Sequence, residues 1–103
     1  MLPRHELRSQ ICWQVQIRAE SGLRSFGMMV DLSANGCCIQ VQGKPPRVNS
    51  KIIVRPDGLD GLKANVKWVS NYQCGVVFER PIYGPVLEHF LRKHAAFAAL
   101  VTL

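Results

Sequence analysis

Two arginines and one short acidic turn hold the residue types in this chain that could bind a ligand rather than fill a core. Arg4 and Arg8 stand four positions apart in an R-x-x-x-R element, and residues 31–36, running from Asp31 through Ser33 to Gly36, form a D-x-S-x-x-G element. A guanidinium is a planar fork of donors that meets phosphate oxygens, or the O6 and N7 edge of guanine, in bidentate fashion. A carboxylate accepts from the N1–H and amino edge of the same base. The two segments therefore carry complementary chemistry for one ligand, an anionic guanine nucleotide. Each also has a plainer reading. An isolated R-x-x-x-R pair is commonly two solvated charges, and Asp and Ser often cap turns while Gly supplies a positive φ. What raises the pair above that reading is its order along one small scaffold.

That scaffold is legible from periodicity. Apolar residues at Ile11, Trp13, Val15 and Ile17 alternate with polar ones, which is the pattern of a half-buried strand. After turn chemistry around Ser21 and Gly22, the alternation resumes at Phe26, Met28 and Val30, a second strand that delivers Asp31 at its end. Gly36 is expected to allow a tight reversal into a third strand whose inner face is Cys37, Ile39 and Val41. Residues 51–55 make a fourth strand, bounded by Pro45-Pro46 and by the turn at Pro56-Asp57-Gly58. Leu62, Ala64, Val66 and Trp68 mark a fifth, and Cys74, Val76 and Phe78 a sixth. Six short strands favour a closed antiparallel barrel, because closure hides the sheet edges in few residues. Beyond Pro81 the period becomes helical: Pro85 suits a first turn, and Leu87, Phe90, Leu91, His94, Ala95 and Ala98 form one stripe. His94 reads as a packing residue at the edge of that stripe. The organisation is one domain: an N-terminal arm over residues 1–10, a barrel over 11–80, and a helix and tail over 81–103.

Composition limits the function classes. The chain has 103 residues, 48% hydrophobic and 19% charged, enough for a single core. Its longest apolar run is shorter than a bilayer crossing needs, and no export signal opens the sequence, so a cytoplasmic protein is expected. Cys12, Cys37, Cys38 and Cys74 form no C-x-x-C pair, and no metal site or cofactor is expected from them. There is no nucleophile–base pair and no phosphate-cradling glycine loop, which argues against an enzyme. A formal charge of +6 points to an acidic or phosphorylated partner.

The chain resembles the PilZ domain family, receptor modules for cyclic di-GMP, over almost its full length. Arg4 and Arg8 correspond to the family's arginine motif, Asp31, Ser33 and Gly36 to its D/N-x-S-x-x-G motif, and Gly75-Val76-Val77-Phe78 to its closing strand. The resemblance implies a six-stranded barrel with a C-terminal helix, and cyclic di-GMP draped over the outer surface beneath the N-terminal arm. Trp68 falls where many members carry an aromatic; from periodicity alone, core packing and guanine stacking are both open for it. For His5, a phosphate contact and a plain solvated side chain are both open. Pro3 and His5 stand where many members have another arginine, leaving ligand stoichiometry open. The function implied is a receptor or adaptor signalling to an unidentified effector protein. The alternatives are a PilZ-like interaction module without nucleotide binding, and a small barrel binding single-stranded nucleic acid, which the shortage of aromatics disfavours. For the apolar tail, helix extension, docking on the barrel and a homodimer contact are all open.

Overall fold

The computed structural model describes residues 9–95. Arg4, His5 and Arg8, together with the tail from Ala96, lie outside the described residues. Six strands follow one another: β1 (Ser9–Ala19), β2 (Arg24–Leu32), β3 (Gly36–Gln42), β4 (Lys51–Pro56), β5 (Leu62–Ser70) and β6 (Gln73–Phe78). One helix, α1 (Gly84–Lys93), follows them among the described residues. All neighbouring strands pair antiparallel in the order β1-β2-β3-β6-β5-β4, and β4 returns to β1 to close the barrel. The mainly β class and the single C-terminal helix are those expected from periodicity. β1 opens at Ser9, so Ser9 and Gln10 belong to the strand rather than to the arm.

The interior follows from alternation. Ile11, Trp13, Val15 and Ile17 of β1 face inward, as do Cys37, Ile39 and Val41 of β3, Ile52 and Val54 of β4, Ala64 and Val66 of β5, and Cys74, Val76 and Phe78 of β6. At the β1–β2 turn Gly22 takes φ +90, and its N–H donates to the Ala19 carbonyl. Few residues other than glycine enter that region of backbone space without strain.

β2 corrects the sequence reading. Phe26, Met28 and Val30 were expected on its core face, but Met29 and Leu32 are fully buried there and Phe26 is 57% exposed. Two causes combine. The inward position opposite Val41 is Gly27, where a Cβ would press on the side chain of Ile39 and on the Gln40 backbone, so this phase of the strand has no apolar side chain to announce it. One register step further, Met29 pairs with Ile39 and Asp31 with Cys38, which leaves Val30 as an extra residue and shifts the alternation by one.

The helix closes one end of the barrel. Pro85 sits in its first turn, and Arg92 and Lys93 in its last turn complement the negative end of the helix dipole. Leu87, Phe90 and Leu91 pack on the core. Trp13 is the anchor: its indole N–H donates to the Asp57 carbonyl at 3.0 Å, the His94 ring stacks on it at 3.8 Å, and Phe90 meets it edge-on at 5.1 Å. After Lys93 the chain leaves the helix and docks. Cys12 N–H donates to the His94 carbonyl at 2.9 Å, and Ala95 forms a bridge with Ile11.

Burial holds the His94 pKa below its ordinary value, with Lys93 and His89 acting in the same direction and Asp57 opposing them. The folded state thus disfavours the imidazolium, and the unfolded chain binds the proton more readily. Stability is then present above the unfolded value, about 6.5, and falls as pH drops below it. In thermal melts the midpoint should fall between about pH 7.5 and 5.5, and more shallowly in His94→Phe, which keeps a ring on Trp13. Equal slopes in the two proteins would refute this role for His94.

Candidate ligand site

Asp31 is aimed outward by the extra residue before it. Without Val30 in excess, the inward phase of Met29 would carry on to Asp31; with it, Leu32 takes the core position and Asp31 pairs with Cys38 on the outer face. The Cys38 N–H donates to Asp31 Oδ1 at 3.1 Å, which orients the half-buried carboxylate. β5 repeats the device. Val66 pairs with Val76 and Trp68 with Gly75, so Lys67 is the extra residue, and Trp68 leaves the core face while Val69 returns to it. Core packing, one of the two readings left open for Trp68, does not hold: the indole lies outside the barrel, over Gly75, where a Cβ would overlap its ring.

Register then sets out one outer row across five strands: Gln10, Asp31, Cys38, Gly75 and Trp68, each paired with the next. The acid and the aromatic stand at two places in this row with only a thiol and a glycine between them. The indole itself fills the space above Gly75, so the row offers a carboxylate and an aromatic ring on one outer face. Sequence reasoning named Asp31 and Trp68 but not Cys38 and Gly75, whose part is to be small. The available signal was the break in alternation at Lys67, together with a glycine in β6 that faces an aromatic.

Ser33 and Gly36 occupy structural places. Ser33 N–H donates to the Gly36 carbonyl at 2.9 Å, its hydroxyl donates to the same carbonyl, and Gly36 N–H donates back to Ser33 Oγ at 3.3 Å. Ser33 is only 1% exposed. Gly36 was expected to make the reversal, but it is the buried first residue of β3 and does not have a positive φ. Its need for glycine comes from close approach to β6, where a Cβ would overlap the Val76 carbonyl oxygen. Ala34 and Asn35 make the reversal instead, and their carbonyls accept from Ile82 N–H and Phe78 N–H, each at 2.8 Å. The turn that positions Asp31 is therefore tied down at its base and at its tip.

The Cys74 thiol is not a reactive group in this setting. Burial, with Cys38 nearby, pushes the Cys74 thiol up to about 12, well away from the thiolate form at neutral pH. Cys37 faces the core and Cys38 the outer row, as adjacent strand residues must. Among the described residues no three His, Cys, Asp or Glu side chains gather as a metal site. No described helix is long and apolar enough to cross a membrane.

Gly75→Ala should destabilise the protein by about 1–3 kcal/mol through overpacking against the indole. In a Trp68→Ala background the same change should lose most of its effect, which urea titrations of the four proteins would read as a coupled cycle. Additive effects would show that the indole is not seated on Gly75.

Comparison with known proteins gives a consistent picture. A family model described as PilZ domain matches residues 3–92. The fold is similar to the PilZ domain of CeSA from a cellulose-synthesizing bacterium, with a TM-score of 0.61 and 18% identity over 81% of this chain and 88% of that one. It is also similar to the inhibitor of motility MotI/DgrA of Bacillus subtilis, with a TM-score of 0.60 and 16% identity. That match covers 90% of this chain but 52% of the Bacillus protein, about half its length. A search of curated proteins finds no match.

Proposed function

Because the chain belongs to the PilZ domain family, we propose that it is a non-enzymatic receptor for cyclic di-GMP whose output is recognition of an effector protein. The observation that supports this reading best is the outer row from Asp31 through Cys38 and Gly75 to Trp68. In this reading the Asp31 carboxylate accepts from a guanine Watson–Crick edge, and the indole of Trp68 offers a face for stacking. Arg4 and Arg8 engage phosphates or guanine edges from the arm, with His5 a further donor. Ser33 and Gly36 act at one remove, Ser33 by closing the turn that holds Asp31 and Gly36 by letting β3 approach β6. A ligand that binds the arm and the barrel together changes the surface a partner meets, which is a shift of population and not a reaction. No cofactor enters this reading.

Single-stranded nucleic acid is a weaker reading for a specific reason. The exposed aromatics Phe26 and Tyr72 border a groove of about 760 Å³ beside Gln14, Gln40 and Gln42, and among the described residues no charged side chain lines it. Arg55 stands beside Phe26, but the groove that Phe26 shares with Tyr72 has an uncharged described lining, which breaks the run of cations that tracks a phosphate backbone. A module that works without nucleotide is the other alternative, and the presence of Arg4, Arg8 and Asp31 weighs against it.

Calorimetric titration with cyclic di-GMP should give a dissociation constant of about 1 μM or tighter, a binding free energy of about 8 kcal/mol. Asp31→Ala and Arg8→Ala should each weaken binding about 10- to 100-fold, as expected for the loss of a good bidentate base contact. The chain has two tryptophans, Trp13 in the core and Trp68 on the outer face. Ligand-induced quenching of tryptophan fluorescence should therefore vanish in Trp68→Phe and persist in Trp13→Phe. Absence of heat at protein concentrations of tens of micromolar would reject the receptor reading.

A further inference from the structure

Positive charge gathers at the opposite ends of the strands that carry the Asp31 row. Arg18 of β1 is paired with Arg24 on one side and with Ile53 of β4 on the other. Arg55 is the next outward residue on β4, and Lys63 of β5 is paired with Ile53. All four cations are exposed. Arg18 is eight residues along β1 from Gln10, roughly 25 Å at the rise of a strand, so this face is separate from the ligand row.

Placing like charges directly opposite one another on a sheet destabilises it, and nothing in the core requires arginine at either outward position. Arg18, Arg24 and Arg55 border one cleft of about 280 Å³ together with Asp60. A neighbouring cleft of about 480 Å³ lies beside Lys51 and Lys63, and Glu20 and Glu79 border it. Ile53 touches both clefts and is 36% exposed amid the cations.

We infer that this face docks an acidic segment of a partner protein, with carboxylates seated on Arg18, Arg24 and Arg55 and an apolar side chain on Ile53. Charge complementarity selects an anionic occupant, and guanidinium forks fit single carboxylates in bidentate fashion. Ile53 and the rim carboxylates choose among anions. A phosphodiester chain or a plane of lipid headgroups brings no apolar side chain for Ile53 and carries its charge past Asp60, Glu20 and Glu79 as well. A polypeptide places its carboxylates one by one. The inference gives the receptor reading its output surface and rests on that reading for its signalling role.

The test uses the full chain and a fluorescent twelve-residue probe peptide of glutamates interrupted by two leucines. Arg18→Gln/Arg24→Gln/Arg55→Gln should weaken peptide binding about tenfold or more, with a folded far-UV spectrum and unchanged affinity for cyclic di-GMP. A control of equal charge change elsewhere, Lys44→Gln/Arg92→Gln/Lys93→Gln, should bind the peptide within about twofold of the parent. Ile53→Ser should weaken binding to the peptide and not to an all-glutamate version. Equal losses in the two triple variants would overturn the inference, since net charge alone would then explain binding. Tighter binding of phosphatidylglycerol vesicles or of a single-stranded DNA twenty-mer, abolished by the patch variant, would overturn it in favour of a lipid or nucleic-acid surface. Failure of the parent to bind cyclic di-GMP would remove the receptor reading, whereas the peptide results stand or fall independently of it.

Discussion

Closing six strands into a barrel assigns every residue to the inside or the outside, and in so narrow a barrel the inside is already filled by side chains. A binding group on such a scaffold must face outward from strands whose other residues build the core. Strict alternation ties the two faces together: moving one residue outward would move its whole strand by one step. The extra residues Val30 and Lys67 loosen that tie locally. Each comes just before a candidate site residue, Asp31 in one strand and Trp68 in the other, and in each strand the following residue, Leu32 or Val69, goes back to the core. The same pair of irregularities thus keeps the core intact and creates the outer row.

Small residues matter as much as the large ones they accommodate. Gly75 lets the indole lie flat on β6, and Gly36 lets the start of β3 come up against the Val76 carbonyl. The turn between Ser33 and Gly36 is tied to Phe78 and Ile82, which connects the acid-bearing segment to the strand that underlies Trp68 and to the approach to the helix. Trp13 does the corresponding work at the other end of the chain, gathering Asp57, Phe90 and His94 around one indole. Outward-facing and core-facing positions are therefore held by different tryptophans, and the contacts around each explain why.

Periodicity was a good guide wherever the inward phase carries apolar side chains. β1, β3, β4 and β6 follow it residue by residue, because burial of alternate apolar groups is the force that pairs them. It misled in β2, where the inward position is Gly27 and the outward ones are Phe26 and Met28, so that the apolar count pointed to the wrong face. It was silent in β5 at Trp68, since an extra residue has no signature in composition and is recognised only against the partner strand.

The residue types at the candidate site, the six strands, the terminal helix and the family likeness were all determined by the linear sequence, since each rests on local chemistry or on short-range alternation. Tertiary structure decided which of those residues share a surface. It joined Ser33 and Gly36 as supports of the turn, set Trp68 outside the barrel over Gly75, and placed Cys38 in the row between acid and aromatic. It also brought Arg18, Arg24 and Arg55, spread over three strands, around one cleft. These outcomes depend on cross-strand register, which is fixed by pairing between segments far apart in the chain, and no local pattern of residues encodes it.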